Sequence, residues 1–305
     1  MPELPDLLHI QKYLQETILG RTVTDVIVKH PVILRNALDQ PIKEALCGSR
    51  IDTLRLAAPF LALEFDREID MVLNLMLAGK LQHQRPSEKA ERYCCITLLL
   101  GDETRLNICD EQQMAKVYLV RRGEYSTIPK YEQLGLNILS AEFTPAQFRE
   151  LAKHHARKQV RVMINDHTIL ASIGNAYADE ILFDAGIHPK TFVGKLTLEE
   201  LDRLHRSIVS VMRWGTAEVE KADQPIQVKV RDHMKVRNRK GEPCPRCGTT
   251  LRREGVRGYD VFFCPKCQPA TRKLFINWER VREHTEEDEH RDTENPEAHR
   301  EKNRF

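Results

Sequence analysis

The chain has 305 residues, enough for more than one hydrophobic core, and its 47 Lys and Arg against 45 Asp and Glu leave a net charge of only +2. With 41% hydrophobic residues it is not a disordered polyelectrolyte. No apolar run reaches the roughly 20 residues that a bilayer-spanning helix requires, and no secretory leader precedes the first helical pattern.

In chain order, Leu7, Leu8, Ile10, Tyr13, Leu14 and Ile18 fall on one face of a helix predicted to end at Gly20. Short β-rich runs follow at 23–28, 51–56, 60–65, 71–76, 93–100 and 116–120, and their turn-like spacing predicts a sandwich or barrel. Past a boundary at 125–143 the pattern becomes helical. Thr144-Pro145-Ala146-Gln147 and Thr197-Leu198-Glu199-Glu200 both read as capping boxes, and Gly174 to Pro189 reads as a helix closed by Gly186. The fold class is therefore α+β. The last segment, 279–305, has ten acidic residues, six basic residues and three His with almost no large apolar groups, which predicts a disordered charged tail rather than a metal site.

Three motifs carry chemistry. Cys244-Pro245-Arg246-Cys247 precedes Cys264-Pro265-Lys266-Cys267 by sixteen residues, the spacing of a four-thiolate zinc site on a hairpin with Gly255 and Gly258 at its turn and Val261, Phe262 and Phe263 returning. Four thiolates leave no position for a reactive water, so one structural zinc is expected. Two disulfides are the alternative. Cys47, Cys94, Cys95 and Cys109 lie in apolar strand-like runs, however, and the reduced-thiol reading places the chain in the cytoplasm, associated with the nucleoid. From 225 to 276 there are thirteen Lys or Arg against four Asp or Glu, a local excess that suits phosphate binding if it is not merely a solvated face. Gly174-Asn175 opens a helix, where backbone N–H groups and an amide can meet a phosphate or simply cap the helix. Finally, the chain starts Met1-Pro2-Glu3-Leu4-Pro5-Asp6. Removal of Met1 would free the secondary amine of Pro2, a nucleophile near neutral pH, although on these two residues alone an ordinary start is the better reading.

Taken together, Pro2-Glu3-Leu4-Pro5, Gly174-Asn175 through His188-Pro189, and Gly241-Glu242-Pro243-Cys244 through Cys267-Gln268 resemble the formamidopyrimidine-DNA glycosylase and endonuclease VIII family, in order and spacing over nearly the whole chain. The resemblance implies a catalytic β-sandwich lobe with an N-terminal helix at 1–130, a helix-two-turn-helix lobe at 144–235 and a zinc finger at 236–276. It also implies a monomer acting on damaged double-stranded DNA, with no membrane partner. Pro2 would attack the sugar C1′ of a flipped nucleotide, Glu3 would move protons during ring opening, and Asn175 would hold a phosphate beside the lesion.

Other positions depart from the family pattern. Pro59 stands where the family usually has a phosphate-binding Lys, which leaves Lys80 as a candidate substitute. Tyr259 replaces a phosphate-gripping Arg five residues before Cys264, with Arg257 close enough to compensate through a shifted hairpin. Leu77, Gln113 and Met114 correspond to the side chains that fill the gap left by a flipped base, although Leu77 and Met114 also suit core packing. Two functions are compatible with these departures: an active glycosylase and abasic-site lyase, or a catalytically weak relative that binds damaged or abasic DNA. A generic zinc-ribbon protein would leave the N-terminal motif without a role.

Overall fold

Proline at the second helical position and an apolar stripe set helix α1 at Leu4–Thr17. It stops a little before the predicted end: Ile18 is its C cap, and Gly20 makes the exit turn at φ +76°. The computed structural model describes residues 1–270, so the segment 279–305 lies outside the described residues.

Nine strands and a short helix follow α1: β1 (Val23–Val28), β2 (Leu34–Asn36), α2 (Ile42–Leu46), β3 (Ile51–Ala57), β4 (Phe60–Phe65), β5 (Ile69–Asn74), β6 (Lys80–Gln84), β7 (Cys94–Leu100), β8 (Arg105–Cys109) and β9 (Lys116–Arg121). One sheet has the order β1-β7-β8-β6 and the other β2-β9-β5-β4-β3. Neighbours are antiparallel except β2 beside β9. Leu81, Ile96, Leu98, Leu106 and Ile108 from the first sheet share one core with Leu61, Leu63, Leu73, Val117 and Leu119 from the second, which makes the pair a sandwich.

All six predicted runs are strands, but β2, β6 and β8 are additional. The reason for two of them is a buried amide ladder. Gln82, Gln84, Thr97 and Asn107 are all buried. Thr97 Oγ1 donates to Asn107 Oδ1 at 2.8 Å, and Asn107 Nδ2 donates to the side-chain oxygens of Gln82 at 3.1 Å and Gln84 at 2.8 Å. Polar residues that would ordinarily mark a solvated face are thus satisfied inside, and β6 and β8 lose their alternation.

The second half contains β10 (Leu136–Asn137), α3 (Pro145–His154), α4 (Val160–Ile164), β11 (Leu170–Ala171), α5 (Asn175–Ala185), α6 (Leu198–Ala222) and a hairpin of β12 (Arg252–Val256) and β13 (Tyr259–Phe263). Both predicted N caps form. Thr197 makes a full box with Glu200, whereas Thr144 accepts the Gln147 N–H with no return bond from the Gln147 side chain. Gly186 closes α5 in the left-handed conformation at φ +66°. The hairpin turn is at Arg257 and Gly258, both with positive φ, and Gly255 lies within β12 rather than at the turn expected from the sequence.

Helix α1 packs against both α6 and β3. Its Leu4, Leu7, Ile10 and Leu14 therefore belong to one continuous core that runs from the sandwich to Tyr177, Ile208, Val211 and Met212. Among the described residues no helix is long and apolar enough to cross a membrane.

Helices α5 and α6 pack together, and at Gly215 of α6 a β-carbon would overlap the ring of the fully buried Tyr177. Gly215→Ala should therefore destabilise the protein by about 1–3 kcal/mol despite the better helix propensity of Ala. Thermal unfolding checks this, and a raised midpoint would show that the ring can move aside.

Candidate active site and zinc module

The start of α1 is held by two carboxylates. Asp6 accepts the backbone N–H of Glu3 at 2.7 Å and takes a bidentate pair from Arg231, with Nη1 at 2.8 Å and Nη2 at 2.6 Å. The carboxylate of Glu3 crosses to the other half of the molecule. There its Oε1 accepts the N–H of Ala176 at 2.8 Å and its Oε2 that of Tyr177 at 3.0 Å. The free N–H groups and partial positive charge of the α5 N-terminus thus hold Glu3. Gly174 permits the approach, since a β-carbon there would fall on the Glu3 side chain. These backbone donors are accordingly engaged by Glu3, not open to a phosphate as the Gly174-Asn175 motif led us to expect. Asn175 keeps a donor. Its Oδ1 accepts from Arg161 Nη2 at 3.0 Å and Asn165 Nδ2 at 3.2 Å, which fixes the amide, and its Nδ2 has no partner among the described residues.

Pro2 is buried and lines a narrow cleft with Asp6, His9 and Ile10 of α1, Gly79 and Lys80 at the start of β6, and Ile226 to Lys229 beyond α6. The terminal ammonium, on Met1, donates to the carbonyl of Leu77 at 3.0 Å, and Lys229 Nζ donates to the same oxygen at 2.9 Å. Burial pushes the terminal amine down from 8.0 to about 5, and Lys229 pushes the same way while Glu3 opposes.

Leu77, which supplies this carbonyl, is 55% exposed and Met114 is 37% exposed, so neither is a core residue. Their loops leave neighbouring strand ends, because Asn74 pairs with Lys116 and Lys80 with Cys109. Each loop is braced. Asn74 Oδ1 accepts the Met76 N–H at 3.1 Å, and the buried Asp110 accepts the N–H groups of Gln112, Met114 and Ala115 at 2.9, 2.9 and 2.7 Å. Gln113 is exposed at the tip with φ +52°. Pro59 sits in the tight turn between β3 and β4, outside the cleft lining, whereas Lys80 is part of that lining. Arg257 and Tyr259 are exposed at the end of the hairpin and do not line the cleft.

The four predicted cysteines converge, with all sulfurs within 4.8 Å of one another. The Cys244–Cys267 and Cys247–Cys264 pairs are 3.9 and 3.5 Å apart, close to the roughly 3.8 Å edge of a tetrahedron with 2.3 Å zinc–sulfur bonds. Two backbone N–H groups, of Arg246 and Cys267, also point at cysteine sulfurs, as thiolate ligands require. The donor set therefore fits zinc. Phe183 of α5 packs into the small core of this module with Val236, Cys244, Leu251 and Cys264.

Matches to known sequences have the same layout. The formamidopyrimidine-DNA glycosylase N-terminal domain model matches residues 1–117, the H2TH domain model 134–225, and the zinc finger found in FPG and IleRS 241–270. The formamidopyrimidine-DNA glycosylase of Bacillus cereus is 31% identical over 279 residues, covering 88% of this chain and 99% of the relative. The chain belongs to the formamidopyrimidine-DNA glycosylase family. A Geobacillus kaustophilus member is 30% identical over 275 residues, covering 88% of this chain and 100% of its own. Among solved structures, the MutM (Fpg) protein of Thermus thermophilus aligns with a TM-score of 0.77 at 28% identity. The Lactococcus lactis Fpg in complex with abasic-site-containing DNA aligns at 0.80 and 21%, a likeness of fold. Each structural alignment covers 88% of this chain and 100% of the other.

The family motifs lead to Pro2, Glu3, Asn175 and the cysteines. Asp6, Asp110, Arg161, Lys229 and Arg231 escape sequence reasoning, because each acts through a partner far away in the chain or through backbone N–H groups that no spacing rule records.

Replacing Cys264 by Ser should reduce bound zinc to a small fraction and loosen the hairpin, since the module has little core without the metal. Elemental analysis together with proteolysis around 241–270 reads this out. Full zinc retention would show that three thiolates suffice.

Proposed function

We propose that this family member is a DNA repair glycosylase that also cleaves at the resulting abasic site, with the amine of Pro2 as nucleophile and damaged duplex DNA as substrate. The observation that carries the proposal is the coincidence, at one cleft between the two halves, of the chain terminus and a carboxylate held by a helix N-terminus. With Met1 removed, the Pro2 nitrogen lone pair would form a bond to C1′ of a flipped nucleotide while the glycosidic bond breaks, its electrons and a proton leaving with the base. The nitrogen then loses its proton, and its lone pair expels O4′, which takes up a proton as the C1′–O4′ bond breaks and the open-chain iminium forms; the iminium draws electrons from C2′, so loss of a C2′ proton expels the 3′ phosphate by β-elimination, with or without a following δ-elimination. Glu3, oriented by two N–H groups beside Pro2, is the group that takes and returns protons as the sugar ring opens.

Binding is assigned on the same basis. The Asn175 amide supplies a phosphate contact beside the cleft, Lys80 a cation on its wall, and Arg257 and Tyr259 the tip of the zinc hairpin. The exposed Leu77, Gln113 and Met114, on braced neighbouring loops, fill the stack where the base has left. One zinc per chain holds the hairpin and takes no part in bond making. The segments 1–130, 144–235 and 236–276 act as catalytic lobe, DNA-binding lobe and zinc finger, in a monomer.

Intact-mass analysis should show a chain beginning at Pro2, and borohydride should trap it covalently on abasic DNA. Pro2→Gly should lower trapping at least about tenfold, the scale of a misplaced or weakened nucleophile. Glu3→Gln should suppress base excision by roughly 100-fold or more, yet spare cleavage of a preformed abasic site to a larger extent. Full activity with Met1 retained would exclude Pro2.

If Lys80 contacts a phosphate, Lys80→Ala should reduce the slope of log affinity against log salt by about one unit on any duplex sequence. An unchanged slope would assign Lys80 to the cleft wall alone.

A further inference from the structure

We propose that Lys229 is a positioning residue that poises the N-terminal amine for attack: clamped on the Leu77 carbonyl that also receives the terminus, its ammonium keeps the neighbouring amine in the neutral form. The inference rests on the glycosylase and lyase reading above and names a residue for that reaction from the far side of the cleft.

The geometry is that of two cationic groups on one acceptor. With bonds of 3.0 and 2.9 Å to the same oxygen, the terminal nitrogen and Lys229 Nζ cannot be more than about 6 Å apart, where like charges disfavour each other. The segment that carries Lys229 is stapled to α1 on both sides, so the position is built. The His9 ring lies 2.9 Å from the Gln224 carbonyl, and Arg231 is paired with Asp6. Nearby carboxylates are otherwise engaged. Asp6 is taken by Arg231 and the Glu3 N–H, and both oxygens of Glu3 are taken by α5. The remaining groups facing this place are His9 of α1, Arg231 on the same segment and Lys80 of β6, of which the last two are further cations. Burial and Lys229 both lower the proton affinity of the terminal amine, and burial lowers that of Lys229 as well. Pro2 lines the same cleft as Lys229, so the influence passes to its nitrogen once Met1 is gone.

A cation beside the amine lowers its pKa, so the amine is neutral and reactive down to a lower pH; removing the cation raises the pKa and withdraws activity from the acidic side. The test is single-turnover borohydride trapping of an abasic duplex by the full chain beginning at Pro2, at constant ionic strength from about pH 5 to about pH 9, with duplex affinity and zinc content measured alongside. Lys229→Met should move the midpoint of the acidic limb upward by about one pH unit, slowing trapping about tenfold at a pH on that limb, whereas Lys229→Arg should restore the wild-type midpoint. Lys229→Gln keeps a donor for the Leu77 carbonyl without the charge and should behave like Lys229→Met; it also serves if the Met variant fails to fold. An unmoved midpoint in the Met or Gln variant, or an equal slowing at every pH, overturns the proposal while leaving Pro2 as nucleophile. No adduct from the parent protein at any pH overturns the underlying reading and this inference with it.

Discussion

The carboxylate of Glu3 on the N-terminus of α5 is the contact on which the arrangement turns. It spans 173 positions of sequence in one step and joins the first residues of the sandwich half to the first residues of the helix that supports the zinc module. A negative charge on two free N–H groups at a helix N-terminus contributes roughly 0.5–2 kcal/mol in partly buried surroundings. The larger effect is geometric. Glu3 cannot leave without orphaning two buried donors, and Gly174 cannot gain a side chain without displacing it. Placement of the chain terminus and closure of the two halves are therefore one structural event.

The same helix carries the next level of organisation on adjacent residues. Asp179, fully buried, receives Arg161 Nε at 3.1 Å, Arg237 Nη1 at 2.7 Å and the Phe262 N–H at 3.3 Å. Glu180 accepts three consecutive backbone N–H groups, from Lys235, Val236 and Arg237, at 3.0, 2.9 and 2.9 Å. Buried ion pairs are poor evidence of net stability, because desolvation offsets much of the attraction. What they fix is position. The linker into the zinc module is held by Glu180, its hairpin by Asp179, and its last knuckle by Gln268, which joins the Cys264 N–H to the carbonyl of Ile187. Arg161 completes a relay from the hairpin to the Asn175 amide, so the zinc module and the proposed phosphate contact share one rigid base.

Periodicity and turn chemistry made much of this legible in the sequence. The stripe of α1, the six strand runs, the Thr197 box and the Gly186 cap are local signals, and local signals survive folding. The cysteine spacing was sufficient for the metal site. Strands β6 and β8 were hidden because their inward polar residues satisfy one another across strands, a pairing that no single segment reveals. The supporting parts of the site were hidden for a related reason. Asp6 looks like an ordinary first-turn acid until Arg231 arrives from 225 positions away, and Asp110 looks like a turn residue until it gathers three N–H groups. Pro59 shows the reverse case: its identity signals a departure from the family, but only the fold shows that it occupies a strand turn outside the cleft lining while Lys229 lies within it.

The shared core of α1 has a mechanical consequence. Leu4, Leu7 and Ile10 belong to a single packed interior reaching both halves, so opening the cleft like a jaw would bring apolar surface into water along a whole helix. The loops that carry Leu77 and Met114 are likewise tied down by Asn74 and Asp110. A tool this stiff leaves compliance to the other party. On the proposed reading, a duplex weakened at one step bends to it cheaply, whereas an intact stack resists. The rigidity of the protein would then turn local softness of the nucleic acid into selectivity before any base is inspected.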